Sequence, residues 1–320
     1  MHTIIGVDIG GTDTKIGLVQ LDGQLLGMTS LATQSQEGPA VCLERVNTEI
    51  RRLVKDVGTR GGRPAGVGIG MPGCLDIVQG LVISSPNFPE SWFHYPLRDA
   101  ISSGVELPAV LDNDARAATL GEGWLGAAHG CDNYLVLTLG TGIGGGAVVD
   151  GKILRGAQGL AGEFGHMSVY PNGRQCKCGK KGCLEAYASA TAVLTNFYER
   201  IQDLSSAEIS AYAKVNGARK VFDLARKGDA IALAVVEQAA QALGIAIGSL
   251  ATIFNPERVV LTGGMSLDFP MMEDTLRAYA RQHGLAAPMQ NVLICATPLQ
   301  KMAGAIGSAA LYAYSKGWLK

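Results

Sequence analysis

Two glycine-rich turns in this sequence carry residue types that bind phosphate. The first lies between Asp8 and Lys15 (DIGGTDTK), with a carboxylate at the end of an apolar run, Gly10 and Gly11 in the turn, and Thr12 just beyond them. Glycines let backbone N–H groups approach an anion closely, the hydroxyl and the ammonium add donors, and the carboxylate can hold a magnesium ion through water. Taken alone, the same residues also fit an ordinary β-hairpin.

A second turn of this kind, residues 140–146 (GTGIGGG), follows the apolar run 134–139 and supports the phosphate interpretation. Two such turns facing each other would clamp a triphosphate, with Thr141 and Gly142 in the second of them. Gly263 and Gly264 follow a third apolar run and would leave room for a flat base. A dinucleotide fingerprint needs a helix directly after the glycines, and a Walker loop needs Gly-Lys-Ser/Thr; the sequence fits neither pattern.

Four soft or borderline metal ligands lie within eighteen residues: His166, Cys176, Cys178 and Cys183. The set is typical of a tetrahedral Cys3His zinc site, and with all four positions filled by protein the ion would be structural. A disulfide is the alternative, which a reducing cytosol disfavours. The other four cysteines are scattered and fit small buried hydrophobes.

Two carboxylates flank this cysteine-rich segment. Glu163 precedes His166 by three residues, and Glu185 follows Cys183 by two. Carboxylates paired with ring hydroxyls allow a site to recognise a sugar, because each oxygen accepts a hydrogen bond that a deoxy analogue does not supply. Both residues also fit solvated loop charges.

A third cluster of polar residues, Asp112-Asn113-Asp114, joins an apolar run to a helical pattern. The cluster fits a helix N-cap, with Asn113 or Asp112 capping and Asp114 at the positive helix end. It also fits catalysis, with Asn113 orienting a substrate and Asp114 acting as general base. The two interpretations are compatible.

The elements that must position these residues alternate between strand and helix. We predict strands at 4–9, 15–20, 24–31, 65–70, 109–111, 134–139, 147–149, 258–261 and 291–295, and helices at 39–57, 115–125 and 303–315. The strand, glycine-rich turn and strand of residues 4–19 recur at 134–149, which indicates a duplicated α/β fold.

Composition excludes several classes of protein. Among 320 residues, 43 glycines without a three-residue period exclude collagen, and 47% hydrophobic residues exclude disorder. A net charge of −1 gives no basic surface for nucleic acid, so we expect small-molecule partners. The sequence has no signal-peptide pattern at its start, and the apolar stretch 239–254 is short for a membrane span, so we expect a cytoplasmic protein without membrane contact.

Together these motifs resemble the ROK family (repressors, open reading frames and kinases) of sugar kinases, in the actin, hexokinase and heat-shock protein superfamily. The resemblance covers almost the whole chain, and segments 160–167 and 86–88 are most similar to bacterial glucokinases. It rests on five ordered motifs: DxGGTxxK at 8–15, ND at 113–114 with GE at 121–122, GTGxGGG at 140–146, ExGH at 163–166 and CxCGxxGCxE at 176–185.

The resemblance implies roles for individual residues. Both glycine turns and Gly263-Gly264 would hold ATP with magnesium, and Asp114 would be the catalytic base. The residues that would contact the sugar are Asn113, Glu163, His166 and Glu185, with Pro72, Gly73 and Asn87 lining its pocket. His166 would use one ring nitrogen for zinc and the other for the sugar.

The resemblance also implies a fold and an activity. The fold is a two-lobed actin/hexokinase-like (duplicated ribonuclease H-like) α/β fold with a cleft and a zinc loop. We expect residues 1–113, completed by the helix 303–320, to form one lobe, and residues 114–302, with the zinc loop and nucleotide site, to form the other. The implied activity is ATP-dependent phosphorylation of glucose at its 6-hydroxyl by a homodimer. An N-acetylhexosamine kinase, a fructokinase or a non-catalytic sugar sensor are the alternatives.

Overall fold

The computed structural model describes residues 2–58, 62–202 and 204–319, and its elements alternate as the sequence predicts. The strands in these ranges are β1 (Thr3–Ile9), β2 (Asp13–Gln20), β3 (Leu25–Ala32), β4 (Val67–Met71), β5 (Cys74–Asp76), β6 (Leu81–Ser84), β7 (Ala109–Asn113), β8 (Tyr134–Leu139), β9 (Ile143–Val149), β10 (Lys152–Ile153), β11 (Arg258–Thr262) and β12 (Leu293–Ala296). The α-helices are α1 (Pro39–Val57), α2 (Leu97–Val105), α3 (Asp114–Trp124), α4 (Glu185–Ala188), α5 (Ala190–Ile201), α6 (Ser206–Ala211), α7 (Ala218–Arg226), α8 (Ala230–Phe254), α9 (Phe269–His283), α10 (Ala286–Asn291) and α11 (Ala303–Ser315).

The chain forms two compact units. Unit 1 contains Met1–Cys131, Gly146–Ala161 and Lys301–Lys320, and unit 2 contains Asp132–Gly145 and Gly162–Gln300. The predicted lobes, 1–113 with 303–320 and 114–302, stay a prediction. Unit 1 also takes in α3, because this helix packs closely on α11: a Cβ added to Gly121 would lie 2.8 Å from the Cα of Gly307.

The first sheet has the strand order β3-β2-β1-β4-β7. β1 pairs with β2 in the antiparallel sense, with Asp8 opposite Lys15. β4 is parallel to both β1 and β7, with Met71 opposite Asn113. The carboxyl ends of β1, β4 and β7 therefore meet at one edge, where ligands bind in open α/β sheets.

Two helices show why the first sheet is buried. α1 begins with Pro39 and turns one apolar face to the core, as the three- and four-residue spacing predicts; the buried hydrophobic residues of this face are Cys42, Leu43, Val46, Ile50, Leu53 and Val57. α11 packs so closely on the sheet that a Cβ at Gly68 would collide with the Ser308 carbonyl. Glycine at this position is therefore a requirement of packing.

The second sheet has the order β10-β9-β8-β11-β12, which repeats the order of the first. β8, β11 and β12 are parallel, and Thr138 lies opposite Thr262. The predicted duplication is thus confirmed in the topology: a three-stranded meander is followed by two parallel strands in each sheet. The fold is the α/β fold that the sequence predicts.

The structure corrects the boundary of the second glycine turn. We predicted a turn through residue 146, but β9 begins at Ile143, so Gly144, Gly145 and Gly146 are strand residues. Side chains from neighbouring elements explain two of these glycines, since a Cβ at Gly145 would collide with the Phe164 ring and a Cβ at Gly146 with Thr119. The hairpin β5–β6 and helix α2 are additional elements that the sequence patterns did not predict.

Helix α8 is long and apolar enough to cross a membrane by length and composition alone, which is weak evidence for a span. More than half of that apolar window is buried inside the protein. Gly244 and Gly248 allow α9 to approach closely, because a Cβ at either position would meet the backbone of that helix. α8 therefore has the properties of a core helix.

Candidate functional site

In unit 1, the predicted site residues gather at the carboxyl edge of the first sheet. Asp8 is the second-last residue of β1, and Pro72 and Gly73 directly follow β4. Asn113 is the last residue of β7, and Asp114 is the first residue of α3. Adjacent parallel strands place these segments side by side. At the level of sequence, only the family resemblance linked these residues to one site.

The turn after β1 is closed by a hydrogen bond from the Gly10 N–H to the Asp13 carbonyl, at 3.0 Å. Lys15 lies opposite Asp8 in the strand register. Burial raises the pKa of Asp8, and the nearby Lys15 charge partly opposes that effect. A Cβ at Gly304, in the first turn of α11, would collide with the Asp8 carboxylate, so this helix terminus closes over the carboxylate.

Asn113 and Asp114 form the start of α3, as the N-cap interpretation predicts. The Asn113 Oδ1 accepts hydrogen bonds from the N–H groups of Ala115 at 2.9 Å and Arg116 at 3.4 Å. The Asp114 Oδ1 accepts from the Ala115 N–H at 2.9 Å. Asn113 therefore satisfies the helix terminus, and the negative charge of Asp114 lies at the positive end of the helix dipole.

The sugar-pocket residues predicted from the resemblance also lie at this edge. The Asn113 Nδ2 donates to the Gly73 carbonyl at 3.4 Å. Gly73 has φ +112°, and a Cβ there would collide with the Ser84 carbonyl. A Cβ at Gly11 would lie 3.0 Å from the Asn87 Cβ, so Asn87 borders the first glycine turn.

Next to Asn113 in the sequence, Asp112 is the centre of an ion triad that sequence reasoning missed. The Asp112 Oδ1 accepts from the Arg116 Nε at 2.6 Å, and its Oδ2 accepts from the Arg155 Nη2 at 3.2 Å. Arg116 and Asp112 are both buried. The Arg116 Nη1 also donates to the Ala161 carbonyl at 3.3 Å. The triad thus attaches the segment 155–161 to the strand end that carries the candidate base.

In unit 2, the turn between β8 and β9 is tied to the segment 185–191. The Ile143 N–H donates to the Glu185 Oε2 at 2.9 Å, and the Thr191 Oγ1 donates to the Thr141 carbonyl at 2.8 Å. Gly142 has no room for a side chain, because a Cβ would collide with the Glu185 carboxylate. The predicted sugar ligand Glu185 is therefore brought to the predicted nucleotide turn.

Gly263 and Gly264 follow β11 in the same unit. Gly263 has φ +90°, and its carbonyl accepts from the Ser266 N–H at 3.1 Å and from its hydroxyl at 2.7 Å. A Cβ at Gly264 would meet no atom within 4 Å. A role of Gly263 and Gly264 beside a base stays a prediction.

His166, Cys176, Cys178 and Cys183 come together in unit 2. Their ligand atoms all lie within 4.8 Å of one another. The Cys178 and Cys183 sulfurs are 3.6 Å apart, and the Cys176 sulfur is 3.8 Å from the His166 Nδ1. Zn–S bonds of about 2.3 Å at tetrahedral angles separate neighbouring sulfurs by about 3.8 Å, so these atoms fit one tetrahedral ion. All three cysteines are free thiols, so no disulfide links them.

The protonation of Cys183 also bears on a metal. Burial, followed by hydrogen bonds to the neighbouring cysteines, raises the pKa of Cys183 to about 12. Since thiolates and not thiols bind metals, a cation would have to displace this proton. The fit of the donor set to zinc therefore rests on geometry and ligand type.

Glu163 and His166 lie one short turn apart. The His166 N–H donates to the Glu163 carbonyl at 3.0 Å. Because Nδ1 of His166 faces the cysteine cluster, its Nε2 is the ring nitrogen left for another partner. This division agrees with the expectation of one ring nitrogen for zinc and one for a substrate. The individual substrate roles of all these residues stay predictions.

Comparisons with known proteins agree with the motifs. A family model described as the ROK family matches residues 4–314. A glucokinase from Thermotoga maritima is 37% identical over 311 residues, which is 96% of each chain.

Two further proteins indicate the range of similarity. A solved structure of a ROK family glucokinase from Streptomyces griseus, in complex with glucose and AMPPNP, has 33% identity and a TM-score of 0.81, and the match covers 97% of this chain and 98% of that one. A xylose repressor from Caldicellulosiruptor bescii is 29% identical over 97% of this chain and 77% of the repressor.

Proposed function

Because the chain belongs to the ROK family, we propose that it is an ATP-dependent hexose kinase that phosphorylates glucose at the 6-hydroxyl. A sugar kinase is supported by the similarity to glucokinases along nearly the whole chain. The observation that carries the proposal is that the first glycine turn and the Asn113-Asp114 pair lie at the same sheet edge of unit 1, where only β4 separates β1 from β7. An anion-binding turn beside a carboxylate base is what phosphoryl transfer to a hydroxyl requires.

In the proposed reaction, the 6-hydroxyl oxygen attacks the γ-phosphorus of ATP. A bond forms between that oxygen and the phosphorus, the bond between the γ-phosphorus and the bridging oxygen of ADP breaks, and Asp114 accepts the hydroxyl proton. Magnesium, when bound, would neutralise phosphate charge, and Asp8 would hold it through water. Because the covalent chemistry is simple, positioning and charge stabilisation by the protein would supply most of the rate.

For the nucleotide, we propose Gly10, Gly11, Thr12 and Lys15 in unit 1. Thr141, Gly142, Gly263 and Gly264 would serve the nucleotide in unit 2. The similarity to a kinase solved with AMPPNP supports ATP as donor.

For the sugar, we propose that Asn113 and Asp114 bind the hydroxyls around the reacting oxygen, with Pro72, Gly73 and Asn87 beside them. The ligands from unit 2 would be Glu163, His166 and Glu185. The hydrogen bond from Asn113 to the Gly73 carbonyl supports a preformed arrangement in unit 1.

We further propose that His166, Cys176, Cys178 and Cys183 hold one structural zinc ion. Elemental analysis should find about one equivalent per chain. A fully active preparation without metal would contradict a structural role.

The experiment that tests the activity is a substrate panel in a coupled assay for ADP release. Glucose, mannose, fructose, allose and N-acetylated hexosamines are compared by kcat/KM, and the product is identified as the 6-phosphate by NMR. The proposal expects glucose to give the highest value. Higher values for an N-acetylated hexosamine or for fructose would assign the chain to one of those kinases.

A non-catalytic sugar sensor is the alternative of a different class, and the similarity to a xylose repressor favours it. Sugar binding without ADP release would establish that alternative. We also propose a cytoplasmic location and a homodimer, for which sedimentation would give the mass of two chains.

A further inference from the structure

Thr33 lies directly after β3 and contacts the first glycine turn through both its hydroxyl and its backbone. The Thr33 Oγ1 donates a hydrogen bond to the Gly10 carbonyl at 2.6 Å. Its N–H donates to the Thr12 carbonyl at 2.8 Å. Thr33 is fully buried. It contacts Gly10 although it lies 23 residues further along the chain.

The direction of the hydroxyl bond is fixed by chemistry. A carbonyl only accepts, so the single proton of the Thr33 hydroxyl goes to Gly10. The Thr14 Oγ1, which lies 2.9 Å from the Thr33 Oγ1, must therefore donate to it. The Thr33 hydroxyl is thus fully engaged and has one orientation.

This orientation determines where the next amide points. The described residues contain no cis peptide bonds, so the Gly10 carbonyl and the Gly11 N–H lie in one trans peptide plane and point in opposite directions. With the carbonyl held toward Thr33, the Gly11 N–H points away from it. Without that bond, a peptide between two glycines rotates easily and would present its carbonyl oxygen, which repels an anion.

Thr33 is itself held to the core. The Arg45 Nη2, on α1, donates to the Thr33 carbonyl at 2.9 Å. The brace therefore runs from α1 to the first glycine turn.

We propose that Thr33 is a positioning residue that holds the Gly11 amide ready for a nucleotide phosphate. The proposal rests on the proposed function of the turn, and it assigns Thr33 no contact with substrate. Loss of the hydroxyl should weaken nucleotide binding by about 10- to 100-fold, the range expected when one hydrogen bond to a charged group is lost. The sugar KM should change by less than about twofold, because Thr33 braces only the nucleotide turn.

The test compares Thr33→Val with Thr33→Ser. Valine keeps the β-branched shape and the backbone bond to Thr12 but has no hydroxyl, whereas serine keeps the hydroxyl. We expect Thr33→Val to raise both the KM for ATP and the Kd for AMPPNP. Thr33→Ser should keep both values close to those of the wild type. Thr252→Val is the matched control, since it removes a hydroxyl bond to the Gly248 carbonyl in α8 of unit 2 and should leave both values unchanged.

The outcomes separate this inference from the proposed function. A folded Thr33→Val variant that binds AMPPNP with wild-type affinity overturns the inference. If the wild-type protein binds AMPPNP but phosphorylates no sugar, the proposed activity is overturned. The AMPPNP affinities of the two Thr33 variants then still decide the role of Thr33. Should the variants fail to fold, hydrogen exchange on the wild type decides: AMPPNP should protect the Gly11 amide, and unchanged exchange would overturn the inference.

Discussion

Replacement of Asp114 by asparagine should separate catalysis from folding. The structure gives the reason, because Asn113 and not Asp114 is the N-cap of α3. An asparagine at position 114 can still accept the Ala115 N–H through its Oδ1, which in the native protein is 2.9 Å away. The substitution therefore removes a negative charge from the first helical turn and keeps an acceptor for the Ala115 N–H.

The two expected magnitudes differ widely. Loss of a charge near a helix N-terminus costs about 0.3 to 1 kcal/mol of stability. For a chain of 320 residues that lowers the Tm by about 1 to 2 °C. Loss of a general base lowers kcat about 10²- to 10⁴-fold, which is about 3 to 5 kcal/mol of transition-state stabilisation.

The measurement pairs ADP release with thermal unfolding, and Asn113→Ala is the comparison variant. That variant loses the cap, at about 1 kcal/mol of stability, and it should also raise the sugar KM. Asp114→Asn should instead keep sugar affinity, measured by calorimetry, within a few-fold. Turnover of Asp114→Asn within tenfold of wild type would remove Asp114 from the role of base.

Three further substitutions test other parts of the structure. Burial raises the pKa of Asp8, so the folded chain retains a proton that the unfolded chain releases above about pH 4, and stability falls as pH rises. Asp8→Asn should therefore gain stability relative to wild type, measured by calorimetry, as the pH rises above about 4, while turnover falls. A stability difference independent of pH would contradict this. Arg116→Met should lower the unfolding free energy, measured by urea titration, by about 3 to 5 kcal/mol. The reason is that the buried Asp112 carboxylate keeps only its longer ion pair, to Arg155. A loss below about 1 kcal/mol would contradict this expectation. Cys176→Ser should lower both the zinc content and the Tm. The control is Cys42→Ser, which lies outside the cluster and should keep the zinc content. Equal zinc in the two variants would contradict the proposed ligand set.

The fold could be predicted to the extent that its signals are local. The helix 39–57 was predicted at the bounds that the structure has, since its apolar spacing and its Pro39 start are both local features. The short hairpin β5–β6 was not predicted, because Cys74–Asp76 is too short to show a pattern. The start of β9 was not predicted either, because glycines 144–146 are typical of a turn. Neighbouring side chains leave no space for a Cβ at two of these positions: Phe164 lies against Gly145, and Thr119 lies against Gly146.

The same distinction applies to the candidate site. The cysteine cluster and the cap at Asn113 were predicted because their partners lie within a few residues along the chain. Arg116 lies one helical turn from Asp112, but Arg155 is 43 residues away, and no spacing rule connects it to a carboxylate. Thr33 likewise had no pattern of its own, since its role depends on the register of β2 against β3.

The two glycine turns resemble each other in sequence but are braced by different chemistry. In the first, a neutral hydroxyl from Thr33 binds a carbonyl, and this leaves the Gly11 N–H directed away from the brace. In the second, the anionic Glu185 accepts the Ile143 N–H, so that amide is already engaged. Under the proposed function, this turn would offer phosphate other groups, such as Thr141. Because Glu185 follows Cys183 by two residues, the second brace depends on the fold of the cysteine loop. The Thr33 brace of the first turn instead depends on β2 and on α1.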